Sequence, residues 1–171
     1  MRKDILLVDG YNIIGDWPEL KMIRDRDLTE ARDLLIEKMA EFQAYKGWEV
    51  KIIFDAHMVP GVGRNYAHHR VEVCYTRENE TADERIEKLV RELKNIETRV
   101  YVATSDYAEQ SMTFGSGALR ISARELRTNT QLVERDIENK VKDTKNLRRG
   151  RSLPLSEDVA EFFDKWRRNR R

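Results

Sequence analysis

The chain has 171 residues, enough for one domain with a sizeable core and an appendage. Charged residues make up 37% and hydrophobic ones 40%, the formal net charge is only +1, and no apolar run approaches the roughly 20 residues of a membrane span, so neither a polycation nor a membrane-embedded protein is expected. A single cysteine, Cys74, excludes an intrachain disulfide and a multi-cysteine zinc site, and an N-terminus that runs from Arg2-Lys3-Asp4 straight into a strand-like segment leaves no room for a signal peptide, so a cytoplasmic protein is expected.

Residues 4–9 read as a short buried strand, Ile5-Leu6-Leu7-Val8, stopped by Asp9-Gly10. Asp16-Trp17-Pro18 begins a loop. A helix starts near Asp27 or Thr29, where Asp27 and Glu30 have capping-box spacing; Leu34, Leu35, Met39 and Phe42 recur at helical intervals and Gly47 ends it. Residues 49–55 give a second strand. From Ala56 to Arg70 the chain carries Pro60, Gly61 and Gly63 beside Arg64, Asn65, Tyr66, His68, His69 and Arg70, which predicts a flexible basic loop leaving the edge that bears Asp55.

Val71 to Tyr75 is a short strand in which Cys74 is a buried thiol. Thr81 and Glu84 form another capping-box pair, for a helix with Ile86, Leu89, Val90 and Leu93 on its apolar face. Residues 98–104 are a strand, and Gly115-Ser116-Gly117 a turn. Ser122 and Glu125 open a long polar helix with Leu126, Leu132, Val133, Ile137 and Val141 on its apolar side. Arg148-Arg149-Gly150 reads as a linker, and Ser156 caps a last helix whose Val159, Phe162, Phe163 and Trp166 dock on the core. Strands alternating with helices predict an α/β fold with a mostly parallel sheet. The expected division is a domain over residues 1–147 and a basic linker with C-terminal helix over 148–171.

Asp9, Asp55 and Asp106 each follow a predicted strand, and Asp83 falls in the first turn of a predicted helix. The carboxyl ends of parallel strands share one edge, where ligands bind. Carboxylates gathered there repel one another, and a hard divalent cation, Mg²⁺ or Mn²⁺, removes the conflict. Taken alone, Asp83 also suits plain helix capping, since the macrodipole favours negative charge there.

Charge is unevenly spread. Lys140, Lys142, Lys145, Arg148, Arg149 and Arg151 are countered locally by Asp143, and the end adds Lys165, Arg167, Arg168, Arg170 and Arg171. These blocks are either a solvated face or a set of phosphate contacts to nucleic acid. His57, His68 and His69 lack a supporting Cys or Asp spacing for zinc. His69, Arg70 and Arg64 better suit RNA phosphate at the mouth of the aspartate site, with Tyr66 or Tyr107 to stack an unpaired base.

Other acid-lined α/β enzymes fit poorly. A haloacid-dehalogenase-type phosphatase needs a second aspartate where Tyr11 stands, a response-regulator receiver needs an acidic pair beside Asp9, and no phosphate-binding glycine loop follows the first strand. The runs Val8-Asp9-Gly10-Tyr11-Asn12, Phe54-Asp55, Glu80-Thr81-Ala82-Asp83 and Thr104-Ser105-Asp106, in that order, resemble the NYN branch of the PIN-like nucleases. Asn79 to Lys88 and Gly117-Ala118-Leu119-Arg120 resemble its bacterial YacP-like group, over nearly the whole chain.

The resemblance implies a three-layer α/β/α PIN-like domain and a metal-dependent endoribonuclease acting on mRNA in association with ribosomes. One or two Mg²⁺ or Mn²⁺ ions would be held by Asp9, Asp83 and Asp106, with Asp55 binding through water or orienting a ligand. Asn12, otherwise a turn residue, would fix a carboxylate or a metal-bound water. Glu80 either shares the Asp83 site or faces solvent. Thr104 and Ser105 steer Asp106 or cap the next helix. The basic candidates for RNA contact are Arg64, His69, Arg70, Lys140, Lys142, Arg148 and Arg149. The competing reading is a non-catalytic RNA- or ribosome-binding module on the same fold. Oligomeric state stays open.

Overall fold

The computed structural model describes residues 2–56, 65–68, 70–106, 110–111, 115–152 and 165–168, with backbone alone at 65–68 and 150–152. Two compact units divide it, residues 1–133 and 134–171.

The first unit holds a six-stranded sheet. Its strands are β1 (Lys3–Asp9), β2 (Glu49–Phe54), β3 (Asn65–His68), β4 (Val71–Tyr75), β5 (Thr98–Ala103) and β6 (Leu119–Ile121), in the order β3-β4-β2-β1-β5-β6. All neighbours run parallel except β3, which lies antiparallel to β4 at one edge. The helices are α1 (Gly10–Asp16), α2 (Pro18–Arg26), α3 (Leu28–Lys46), α4 (Ala82–Leu93) and α5 (Ala123–Ser152). The mostly parallel α/β expectation therefore holds.

Alternation along the strands sorts the two faces. Ile5 and Leu7 of β1, Ile53 of β2, Cys74 of β4, and Val100 and Val102 of β5 form one buried cluster with Ala82, Ile86 and Val90 of α4. The alternate residues Leu6, Val8, Val50 and Ile52 point to the opposite side and are fully buried; α1 and α3 pack on this part of the sheet. Each such aliphatic side chain contributes about 1.5–3 kcal/mol on burial.

The capping signals read from the sequence are realised. Asp27 accepts from the backbone N–H groups of Thr29 and Glu30, and α3 ends at Gly47 in the left-handed region, φ 70°. Thr81 Oγ1 accepts from Glu84 N–H at 3.2 Å, and Ser122 Oγ from Glu125 N–H at 3.1 Å. An N-cap of this kind is worth about 1 kcal/mol.

Several expectations need correction. The loop expected from Asp16 is a helix: α1 runs from Gly10 to Asp16, and Pro18 then opens α2, where its missing N–H is not needed. Trp17 between them is buried, and its indole N–H donates to Ala123 O at 2.8 Å. The basic loop expected over 56–70 contains β3, and a two-residue connection to β4 places Arg70 at φ 70°, a conformation tight hairpins require. The linker expected at Arg148-Arg149-Gly150 is helical, because α5 runs on to Ser152. Along α5, Leu126 and Val133 are buried, but Leu132 and Val141 are exposed. Residues 165–168 are helical, while Ser156, Val159, Phe162 and Phe163 lie outside the described residues.

Candidate active site

Strand register determines how the acidic edge is built. Asp9 is the last residue of β1 and pairs with Ile53 of β2, while Val8 pairs with Ala103 of β5. Asp9 is thus level with Ile53 on one side and Thr104 on the other. Asp55 and Asp106 each lie two residues farther along the flanking strands' paths. They follow the two strands that flank β1, with neighbouring strands about 4.8 Å apart. Asp9 is buried at 9% exposure, Asp55 is half-buried, and Asp106 is exposed.

Asp9 and Asp55 continue the alternation of Leu7 and Ile53, so both belong to the face covered by α4. Asp83 is half-buried in the first turn of that helix, next to Ala82 of the same cluster. Because β1, β2, β4 and β5 run parallel, the chain after β2 and β5 and the start of α4 all fall at the carboxyl edge of the sheet, the edge of Asp9, Asp55, Asp83 and Asp106.

The Asp106 segment is held from several directions. Asp106 N–H donates to Thr104 Oγ1 at 3.1 Å, and Gln110 N–H donates to Asp106 O at 2.9 Å. Gln110 Nε2 donates to Thr104 O at 2.7 Å. Asn12 Oδ1 accepts from both the backbone N–H and the hydroxyl of Ser105, at 2.6 and 2.8 Å. Asn12 thus ties α1 to the loop carrying Asp106.

Glu80 does not face solvent. It is buried at 6% exposure, with Lys88 Nζ 2.9 Å from Oε2 and Arg85 Nε 3.1 Å from Oε1. The second contact is a charge contact without hydrogen-bond alignment. Burial alone would raise the Glu80 pKa, but Lys88, Arg85 and the Arg77 backbone outweigh it and hold the carboxyl below its ordinary value.

An aromatic row adjoins the acidic edge. Tyr11 lies 4.9 Å from Phe54 and Phe54 5.6 Å from Tyr75, centroid to centroid. Gly10 permits this: a Cβ there would sit 2.3 Å from Phe54 Cε1. Arg32 donates from Nη1 to the Tyr11 hydroxyl and from Nη2 to Thr29 Oγ1, each at 3.0 Å. Sequence reasoning passed over Tyr11, Arg32 and Gln110. Tyr11 stands inside the Asp-Gly-Tyr-Asn run and was open to notice, whereas nothing local marks Arg32.

Arg70, expected at the mouth of the aspartate site, immediately precedes β4 and so lies at the opposite edge of the sheet. The physical reason is β3, which carries the chain back along the sheet; five residues of β4 separate the edges by roughly 15 Å. Arg64, His69, His57 and Tyr107 lie outside the described residues, as do the side chains of Tyr66 and His68. Lys140, Lys142, Arg148 and Arg149 are exposed on α5, in the second unit.

The all-oxygen donors at the edge suit a hard cation. Among the described residues no three His, Cys, Asp or Glu side chains are grouped so as to hold a metal ion. An open edge of this kind still fits Mg²⁺, which is commonly bound by one or two carboxylates with water and substrate phosphate completing its shell. Among the described residues no helix is long and apolar enough to cross a membrane.

Comparison with known proteins agrees with the fold. The family model described as YacP-like NYN domain matches residues 6–168. Uncharacterized protein YacP of Bacillus subtilis (strain 168) is 54% identical over 165 residues, 96% of this chain and 97% of its own length. The crystal structure of Rae1 (YacP) from Bacillus subtilis is 55% identical, with a TM-score of 0.77 over 96% of this chain and 95% of that one. A tryptophan-to-leucine mutant of Rae1 (YacP) matches at 52% identity and a TM-score of 0.76, over 97% of this chain and 96% of that one.

Proposed function

Because the chain belongs to the YacP-like NYN domain family, we propose that it is a metal-dependent endoribonuclease that cleaves mRNA in association with the translating ribosome. Membership in the NYN branch of the PIN-like nucleases gives the coarse reading, a nuclease or RNA-directed role. The observation that supports metal-dependent cleavage is the parallel register that puts Asp9, Asp55 and Asp106 at one end of neighbouring strands, with Asp83 in the first turn of α4; mRNA and the ribosome come from the family resemblance. Four carboxylates on one edge oppose each other unless a cation is shared among them.

In this reading Asp9, Asp83 and Asp106 hold one or two Mg²⁺ or Mn²⁺ ions. When bound, the cation activates a water and neutralises charge on the scissile phosphate. Asp55, just past the end of β2 beside β1, accepts the proton of the attacking water at a carboxylate oxygen or orients that water. Asn12 holds Ser105 and so keeps Asp106 directed at the edge. Thr104 and Gln110 fix the backbone on either side of Asp106. Lys140, Lys142, Arg148 and Arg149 supply salt-dependent phosphate contacts, and residues 148–171 serve as a basic extension of a nuclease domain over 1–147. Arg70 acts as a phosphate contact away from the cleavage edge. The protein works in the cytoplasm.

The test is cleavage of one transcript in a translating extract with Mg²⁺ and of the same transcript without ribosomes. New RNA ends only during translation support the full proposal. Ends in both conditions keep the nuclease and remove the required partner. No ends in either favour a non-catalytic RNA- or ribosome-binding module.

A further inference from the structure

We infer that Tyr11 is a substrate-recognition residue, a fixed aromatic surface on which one unpaired RNA base stacks beside the cleavage edge, with the Arg32 guanidinium at its phenol end. The inference rests on the endoribonuclease reading and names a contact within it.

Three features separate Tyr11 from an ordinary packing residue. Its place is set by the chain itself: it lies two residues after Asp9, in the first turn of α1, so its ring stays beside the acidic edge. Its neighbours in the aromatic row are interior groups, Phe54 fully buried and Tyr75 at 8% exposure, whereas Tyr11 is only half-buried. Finally, the ring is immobilised from two directions. Phe54 backs it at 4.9 Å and is itself lodged against Gly10, where no side chain fits. The hydroxyl accepts from Arg32 Nη1, and that guanidinium is held in turn by Thr29 Oγ1.

A rigid aromatic group with a cation at its tip is the pair that single-stranded RNA recognition uses: the ring meets a base and the cation lies near a backbone phosphate. Ordering is largely complete before binding, so little side-chain freedom is lost on contact. Arg32 stands 21 residues away on α3 and positions Tyr11 through the phenol oxygen. Any base can stack, so the contact favours unpaired over paired RNA and not one sequence over another.

The test uses the full chain carrying Asp106→Asn, to keep RNA intact, and labelled single-stranded RNA of about a dozen nucleotides, measured by fluorescence anisotropy at low salt. A set of the same RNAs carries one abasic site, moved a nucleotide at a time. The expected result is one abasic position that weakens binding on the order of tenfold. Tyr11→Leu weakens binding of intact RNA by the same factor and loses nothing more at that abasic position, while Tyr11→Phe, which keeps the ring, stays near the parent. A flat abasic profile, or losses that multiply in Tyr11→Leu, overturns the inference. The abasic series on the parent needs no change at Tyr11, so it decides the matter even if Tyr11→Leu folds poorly. A parent that binds none of these RNAs overturns the inference as well, a result distinct from RNA binding with a flat profile, and leaves the nuclease reading to the cleavage assay in a translating extract.

Discussion

Asn12 and Ser105, separated by 93 residues, are joined by two hydrogen bonds to one oxygen: Asn12 Oδ1 accepts the Ser105 backbone N–H at 2.6 Å and the Ser105 hydroxyl at 2.8 Å. This links the start of α1, just after Asp9, to the segment that presents Asp106. Asn12→Ala removes both bonds and is expected to cost about 1 kcal/mol of stability, because the site is open enough for water to replace them. Cleavage should fall much further than stability. Thermal unfolding beside cleavage rates checks this; parallel small losses in both would contradict a positioning role.

The close approach of Gly10 to Phe54 yields a second expectation. A Cβ at residue 10 meets the Phe54 ring at 2.3 Å, and Phe54 is fully buried, so it has nowhere to move cheaply. Gly10→Ala should destabilise by about 1–3 kcal/mol through overpacking. Combining it with Phe54→Leu should recover part of the loss relative to the sum of the single changes. Strict additivity in denaturant unfolding would show that the ring is not the obstacle.

How much of this could be read from residues alone depends on whether the signal was local. Asp27, Thr81 and Ser122 announced their helices because a cap is a contact within three residues, and Asp9, Asp55, Asp83 and Asp106 stood out because each follows or opens an element. The convergence of these aspartates needed strand order and register, which no short run encodes. Trp17-Pro18 read as a loop because proline is both a turn residue and a good first residue of a helix, and the burial of Trp17 against Ala123 decides between them. Glu80 was ambiguous for the same reason: only the packing of Arg85 and Lys88 around it shows that its charge is structural. Arg70 was misplaced because β3 is short, polar and hidden in a glycine-rich run.

Glu80 makes acid stability testable. Its carboxyl is held below the ordinary value, chiefly against burial by Lys88 and Arg85. A lowered folded-state pKa contributes stability above the unfolded value, roughly pH 4.3, and that contribution is lost as pH falls through the folded value. Glu80→Gln should lower stability at pH 7 by about 1–2 kcal/mol, less than for a fully buried pair because Lys88 is largely exposed. Its stability should also fall less steeply than wild type below about pH 5. Identical slopes in the two proteins would remove Glu80 from the acid response.

Cys74 should be inert. Burial, then the Glu72 carboxylate, pushes its thiol up to about 11. At pH 8 the thiolate fraction is roughly a hundredfold below that of an ordinary thiol. Iodoacetamide should label the native chain very slowly and the urea-unfolded chain readily. Fast native labelling would show that β4 opens far more often than its buried face implies.

The central claim, metal-dependent phosphodiester cleavage at the acidic edge, is tested most directly by mapping RNA ends made by the purified chain under conditions where it engages its substrate. The comparison is wild type against Asp106→Asn, each with Mg²⁺ and with a chelator, and with circular dichroism to verify folding. Asp106 is exposed, so its asparagine variant should fold as wild type does. Wild type with Mg²⁺ should give discrete internal ends, and neither the chelator-treated protein nor Asp106→Asn should give any. Equal cleavage by a folded Asp106→Asn, or cleavage indifferent to the chelator, would contradict the claim.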